Sequence, residues 1–142
     1  MRQKLTLITL GVDNLEKAQN FYEKGLGWKK SSVSTENLVV FSLGGIGLAL
    51  YPRKLLAEDA TVDGAGSGFS GVTLSYNAKN EDEVDAVLTE VKKLGATIVK
   101  PAQKAFWGGY SGYCKDLDGH LIEVAFNPFW ELDDEGNLKF PP

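Results

Sequence analysis

The sequence predicts an α+β fold made of two copies of one βαβββ unit. The apolar, β-branched segment Leu5–Val12 is followed by apolar residues at helical spacing that stop near Gly27. The same order returns when the strand-like segment Phe69–Asn77 is followed by a second helical pattern that stops at Gly95. Short strand-like segments follow each helix, and a repeat of this kind decides the architecture. We therefore expect two similar modules in one domain.

The first module has a recognisable helix start and end. Asp13, with Glu16 three residues later, resembles a capping box, and the helix ends at Gly25 or Gly27. Its apolar positions are Leu15, Ala18, Phe21, Tyr22 and Leu26. Three strands are predicted next, with Gly44 and Gly45 as a hairpin turn between the last two. These strands span Lys29–Val33, Asn37–Leu43 and Gly47–Pro52.

The second module repeats this design with a longer helix. Asn80 and Glu83 cap the helix, and its apolar stripe consists of Val84, Val87, Leu88, Val91 and Leu94. The strands that follow span Ala96–Lys100, Gly108–Lys115 and Leu121–Phe126. Residues 1–128 thus form a single domain of two modules, 1–53 and 69–128, joined by a loop over 54–68. Residues 129–142 form an acidic tail that we expect on the surface or against a partner.

Composition excludes several classes of protein. The 142 residues are 43% hydrophobic and 24% charged, as in an ordinary globular domain, and the net charge is −4 without a basic run. Nucleic acid and anionic membranes are therefore not expected as partners. No apolar run reaches the roughly 18–20 residues that span a bilayer, and the chain starts straight into a strand, so we expect a cytoplasmic protein. Cys114 is the only cysteine, which excludes an internal disulfide and a cysteine-based zinc site.

The segment Trp107–Pro128 carries the most chemistry. Asp116–Gly119 has the composition of a turn, so the strand after it runs back antiparallel. Alternation places Ile122, Val124 and Phe126 on one face of that strand. Glu123 lies on the other face, where burial would make its ionisation costly without a partner. It is a metal ligand, a group that binds a cationic or hydrogen-bonding ligand, or part of a solvated sheet edge.

Several other side chains are candidates for a site. Tyr and Trp present a flat apolar face with one polar atom, which suits stacking on a planar ligand or a sugar, although core or dimer contacts explain them equally well. The aromatic candidates are Trp28, Tyr51, Trp107, Tyr110 and Tyr113. Arg53 follows the strand that carries Tyr51 and either reaches an anionic ligand or is a solvated rim residue.

The remaining reactive side chains have simpler explanations. His120 could act as a base but follows a turn, so it is expected to bond the nearby backbone. Cys114 is expected to be a small buried residue rather than a nucleophile. The glycine-rich run at 64–68 does not match a dinucleotide-binding fingerprint, because a strand follows it instead of a helix.

The second copy of the duplicated unit ends with four short motifs: Trp-Gly-Gly-Tyr, Asp-x-Asp-Gly-His, Glu-Val and Asn-Pro. The duplication and this ending together resemble the vicinal oxygen chelate superfamily of glyoxalases, dioxygenases and bleomycin-resistance proteins. The resemblance implies a curved, barrel-like mixed sheet with helices outside and a concave site. It also implies four metal-ligand positions, which fall on Leu7, Ala49, Gly71 and Glu123. Three of these have no donor atom, so we expect no metal cofactor.

We therefore expect a homodimeric, metal-independent protein of the bleomycin-resistance type that binds a small organic molecule. The expected cavity is lined by Leu5, Leu7, Thr9, Ala49, Tyr51, Gly71, Thr73 and Glu123, with Trp107, Tyr110 and Tyr113 nearby. One alternative is a lyase or isomerase in which Glu123 is the general acid or base and a tyrosine polarises a carbonyl. Another is a structural module that docks a partner through the 129–142 tail.

Overall fold

A computed structural model of the chain describes residues 1, 7–61, 63–66, 68–70 and 72–139. The chain divides into two compact units, Met1–Ser70 and Gly71–Pro142. Each unit combines helix with a mixed sheet, which confirms the predicted α+β fold class. No helix within the described ranges is long and apolar enough to cross a membrane.

The first unit contains a three-stranded sheet. Strands β1 (Leu7–Val12), β2 (Val39–Ser42) and β3 (Gly47–Pro52) lie in the order β1-β3-β2. β1 runs parallel to β3, and β2 runs antiparallel to it. Helix α1 (Leu15–Asn20) follows β1, and helix α2 (Arg53–Asp59) follows β3. The first and last strands of the unit are therefore neighbours.

An aromatic cluster joins the helical segment of this unit to its sheet. α1 continues as a wider π-type turn over Phe21–Gly25, which agrees with the predicted helix end. The ring of Tyr22 lies 5.2 Å from that of Trp28 and 6.0 Å from that of Phe41, measured between centroids. Tyr22 and Phe41 are almost completely buried. Trp28 is therefore a packing residue, in agreement with the simpler of its two explanations.

Three predictions for the first unit were wrong in detail. The helix cap is Asn14, whose Oδ1 accepts the Lys17 N–H at 2.9 Å, and not Asp13. The strand predicted over Lys29–Val33 is reduced to a single bridge between Lys30 and Phe41. The backbone groups of Val40 in β2 bond to serines instead: its N–H donates to Ser34 Oγ, and its carbonyl accepts the N–H of Ser31. The predicted loop begins with helix α2, since good helix formers follow a proline that leads into the first turn.

The second unit is a complete βαβββ unit. Its elements are β4 (Leu74–Asn77), α3 (Glu81–Lys93), β5 (Thr97–Lys104), β6 (Tyr110–Lys115) and β7 (Leu121–Phe126). The strand order is β4-β7-β6-β5, with β4 parallel to β7 and the other pairs antiparallel. As in the first unit, the first and last strands pair side by side.

Helix α3 packs on one face of this sheet through its apolar stripe. Val84, Leu88 and Val91 are buried, and each such side chain contributes about 1.5–3 kcal/mol when removed from water. Gly112 in β6 lies directly under the helix, because a Cβ there would approach Leu88 Cδ1 to 2.6 Å. Val124 pairs with Gly112 across β6 and β7 and is 1% exposed. Even-numbered residues of both strands therefore face α3.

Two strand boundaries in the second unit differ from prediction. The segment predicted from Phe69 is a strand only from Leu74 onward. β5 was predicted to end at Lys100 but continues past Pro101. It can do so because β5 is an edge strand with register shifts on both sides of Lys100, and edges and bulges are where a strand accepts proline. In the tail, Leu132 and Leu138 form an antiparallel bridge.

The cap of α3 provides a test of this packing. Asn80 Oδ1 accepts the backbone N–H of Glu83 at 2.8 Å, as the sequence predicts. We expect Asn80→Ala to lower the free energy of unfolding by about 1 kcal/mol, because a backbone donor at the helix start loses its acceptor. Chemical denaturation measures this change. The control is Asn80→Asp, which keeps the acceptor; an equal loss in both variants would contradict the assignment.

Candidate functional site

A line of four side chains crosses the second sheet on the face opposite α3. We call Ser75, Glu123, Tyr113 and Lys100 the polar row. Ser75 is paired with Glu123 between β4 and β7. Glu123 is paired with Tyr113 between β7 and β6, and Tyr113 with Lys100 between β6 and β5. Each of the four strands thus contributes one residue at the same level of the sheet.

The side chains of the row are in contact. Ser75 Oγ donates a hydrogen bond to Glu123 Oε2 at 3.1 Å. The Tyr113 side chain lies beside Glu123 in the sheet, near enough for the carboxylate to raise the pKa of its phenol. Lys100 Nζ lies 5.9 Å from the centroid of the Tyr113 ring, a cation–π distance. Glu123 is half-buried, and the Ser75 hydroxyl supplies a hydrogen-bond partner for its carboxylate.

The orientation of the row follows from strand alternation and one irregularity. Gly112 and Val124 face α3, so Tyr113 and Glu123 face the other way. In β5, Ile98 pairs with Cys114 on the helix side. Regular alternation would put Lys100 on that side too. The register shift between the two residues turns Lys100 to the face of Tyr113, because a bulge moves later side chains to the opposite face.

The pKa of Tyr113 reports on its environment. Partial burial raises the pKa of its phenol, and the neighbouring Glu123 carboxylate raises it further. Tyr113 therefore remains protonated at neutral pH. Because folding raises this pKa, the contact stabilises the protein fully below the ordinary phenol pKa. The contribution is lost as the pH rises through the folded value.

The predicted aromatic site residues of this unit lie on two faces of the sheet: Trp107 and Tyr113 on the face of the polar row, and Tyr110 on the α3 face. The Trp107 ring lies against Gly109, where a Cβ would come within 1.8 Å of ring atom Cζ3. Gly109 directly precedes β6 and is four residues from Tyr113, so strand alternation puts both on the same face. The Trp107 ring therefore lies on that face. Tyr110 is on the α3 side, where its hydroxyl donates to Asp85 Oδ1 at 2.9 Å. The prediction that Tyr110 belongs with Glu123 is therefore wrong, because the two side chains lie on opposite faces.

The predicted site residues of the first unit share a face of its sheet. In the register of β1 and β3, Leu7 pairs with Gly47, Thr9 with Ala49 and Gly11 with Tyr51. Leu7 lines a shallow depression of about 280 Å³, whose other lining residues are Ser31, Val40, Phe41, Ser42, Gly45, Ile46 and Gly47. Ala49 is completely buried and presents no surface to a ligand. The prediction that Ala49 lines a cavity is therefore wrong for the single chain.

Three further predicted site residues fall at or beyond the edge of the described chain. Leu5 and Gly71 lie outside the described residues. Thr73 is exposed and directly precedes β4. Thr73 is two residues before Ser75 of the polar row, so alternation would place both side chains on the same face.

The remaining reactive residues have structural roles. Asp116 is buried and accepts the N–H groups of Asp118 and His120 at 3.0 and 2.8 Å. The His120 carbonyl accepts the Asp116 N–H at 3.0 Å, as expected of a turn residue, but its ring Nδ1 lies 2.9 Å from Asp116 Oδ2, a side-chain partner that the sequence did not predict. Burial, and secondarily the charge of Asp116, raises the pKa of the Cys114 thiol, so it is a poor nucleophile. Arg53 Nε donates to the Gly64 carbonyl at 3.1 Å.

The residues of this chain do not fit the metal site that the resemblance implies. Leu7 and Ala49 occupy two of the four ligand positions, and their side chains have no atom that coordinates a metal. Gly71 has no side chain to offer. Among the described residues, no group of three or more His, Cys, Asp or Glu side chains could hold an ion. Glu123 is the only one of the four positions with a donor.

Two members of the polar row were missed by sequence reasoning. Ser75 has the parity of Gly71 and Thr73, so extending the same alternation by one step would have found it. Lys100 gave no such signal. Its orientation depends on an irregularity in strand pairing that regular alternation does not contain.

Comparison with known proteins gives consistent matches. The family model Glyoxalase/Bleomycin resistance protein/Dioxygenase superfamily matches residues 4–124. The metallothiol transferase FosB of Shouchella clausii is 30% identical over 118 residues, covering 82% of this chain and 75% of that protein. A glyoxalase-related enzyme from Fulvimarina pelagi is 31% identical, with a TM-score of 0.86 and 99% of both chains covered. A lactoylglutathione lyase from Agrobacterium tumefaciens, 22% identical at a TM-score of 0.68 over 94% of this chain and all of that one, shares the fold.

The Tyr113 to Glu123 contact predicts a pKa change. We expect Glu123→Gln to lower the pKa of Tyr113 toward its ordinary value, because the neighbouring negative charge disappears. The ring Cζ resonance of labelled tyrosine, followed by NMR against pH and assigned with Tyr113→Phe, measures it. Tyr110 is the matched control, since Asp85 raises its pKa on the other face. Glu123→Gln should leave Tyr110 unchanged, and Asp85→Asn should lower it; an unshifted Tyr113 would contradict the contact.

Proposed function

Since the chain belongs to the glyoxalase/bleomycin resistance protein/dioxygenase superfamily, we propose that it binds a small organic molecule at the polar row without a metal ion. The observation that supports this proposal is the partly exposed Glu123 carboxylate, which accepts a hydrogen bond from Ser75 and lies beside a tyrosine phenol on the face of the sheet opposite α3. A carboxylate fixed in this way is oriented before a ligand arrives, which reduces the entropy lost on binding.

The carboxylate has room for ligand donors. An ionised carboxylate offers roughly four lone-pair sites, and Ser75 uses one of them. The remaining sites suit an ammonium, guanidinium or hydroxyl group, and hydrogen bonds to a charged acceptor are about twice as strong as neutral ones. Tyr113 keeps its proton at neutral pH, so a neutral phenol lies beside the carboxylate.

The absence of donors at the other family ligand positions supports binding without a metal. Zinc sites take about three protein ligands, and Glu123 would supply one. We propose that in this chain the carboxylate faces the organic ligand directly. That arrangement corresponds to the sequestering type of protein in this superfamily rather than to its metal enzymes.

A second candidate function is a metal-independent lyase or isomerase. The likeness to a glyoxalase-related enzyme over almost the whole chain favours it. In that case Glu123 would take a proton from a carbon beside a carbonyl and return it to a neighbouring atom, while a donor polarises the carbonyl oxygen. Turnover that survives chelation and fails in Glu123→Gln would support the enzyme, and saturable binding without turnover would support the binding protein.

Assembly into a homodimer is part of the proposal. Several large apolar side chains of the second unit are exposed in the single chain, namely Phe106, Phe129 and Trp130. Aromatic residues are enriched at protein–protein interfaces, and we propose that a second copy of the chain covers these side chains.

The binding proposal is tested by removing one charge. Organic amines and polyols are screened by ligand-observed NMR, and the dissociation constant of each binder is then measured for the wild-type protein and for Glu123→Gln. We expect a loss of affinity of about tenfold or more, because a charge-assisted hydrogen bond is removed. Asp85→Asn is the matched control, since it changes a carboxylate that accepts from a tyrosine on the other face. Equal affinity in Glu123→Gln and wild type would reject the site.

Metal independence has its own test. We expect no stoichiometric binding of Zn²⁺, Ni²⁺ or Mn²⁺ by calorimetry and no bound metal in elemental analysis of the protein as isolated, because the ligand positions lack donors. One tightly held metal per chain would overturn our interpretation of Leu7, Ala49 and Gly71. The protein would then be grouped with the metal-dependent enzymes of the superfamily.

A further inference from the structure

The two charges of the polar row lie at separate positions along it. Glu123 is on β7 and Lys100 is on β5, with Tyr113 of β6 between them. Two strand spacings separate the backbones of the charged residues, which is about 9–10 Å. The row therefore presents a negative group and a positive group on one face, with a neutral phenol in the middle.

Lys100 is not paired with an acid. Among the described residues, no carboxylate lies within 4.0 Å of its ammonium group, which instead lies over the Tyr113 ring. Its counterpart on the other face behaves differently. Lys104 lies over the Tyr110 ring at 5.7 Å and also forms an ion pair with Glu81 of α3. The charge of Lys104 on the α3 face is thus neutralised by Glu81, whereas the charge of Lys100 on the opposite face remains available to a ligand.

We propose that the ligand of the polar row is a small zwitterionic molecule, whose cationic group binds Glu123 and whose anionic group binds Lys100. This inference rests on the proposed function and adds the class of ligand to it. A molecule with both charges gains two favourable contacts in one orientation. A dication would meet the ammonium of Lys100 and a dianion the carboxylate of Glu123, so the row selects against both.

The test compares probes of one length. The probes are 6-aminohexanoate, hexylamine, hexanoate and hexane-1,6-diamine, titrated into ¹⁵N-labelled protein and followed at the amides of the polar row. We expect 6-aminohexanoate to bind about two- to fivefold more tightly than hexylamine, the gain of one partly exposed ion pair. Lys100→Glu should reverse the order, so that the diamine binds more tightly than the amino acid.

Two variants control for net charge and folding. Lys104→Glu makes the same charge change on the same strand but on the α3 face, and it should leave the order of the probes unchanged. Lys100→Met removes the charge without reversing it, and it should make 6-aminohexanoate and hexylamine equal. Amide spectra of each variant show whether the sheet is retained.

The outcomes separate this inference from the proposed function. If hexylamine binds as well as 6-aminohexanoate and both depend on Glu123, the zwitterion inference is wrong and the binding site stands. If the probes bind but their affinities change in neither Glu123→Gln nor Lys100→Glu, the inference and the site are both wrong. If no probe binds at millimolar concentration, the zwitterion inference is wrong, and the amine and polyol screen alone decides the proposed function.

Discussion

β7 lies between β4 and β6, and its two ladders of backbone hydrogen bonds hold Glu123 in register with Ser75 and Tyr113. The parallel ladder to β4 joins the first and last strands of the unit, which are about fifty residues apart in the chain. Packing of α3 then decides which face is available. Val124 and Gly112 lie under the helix, so Glu123 must point to the other side.

The edge strand completes the arrangement. β5 has a neighbour on one side only, which lets it depart from regular register and carry Pro101 within the strand. The irregularity turns Lys100 onto the face of Tyr113. A regular edge strand would have placed this lysine beside α3, and the row would then carry only a negative charge.

The two units share the pairing of their first and last strands, but they differ in strand number and in chemistry. Both join their first and last strands in parallel. In the first unit the face that corresponds to the polar row carries Leu7, Thr9 and Ala49, and the described surface there is an apolar depression. The second unit carries the charges.

The sequence by itself determined the α+β class, the repeat, the helix at Asn80, the turn at Asp116 and the face on which Glu123 lies. These features depend on local propensity and on alternation within one strand, which neighbouring residues specify. Tertiary structure alone decided the partners of Glu123, the burial of Ala49 and the separation of Tyr110 from Tyr113 across the sheet. It also decided the orientation of Lys100, because register and bulges arise from pairing between strands, and no single strand encodes its partner.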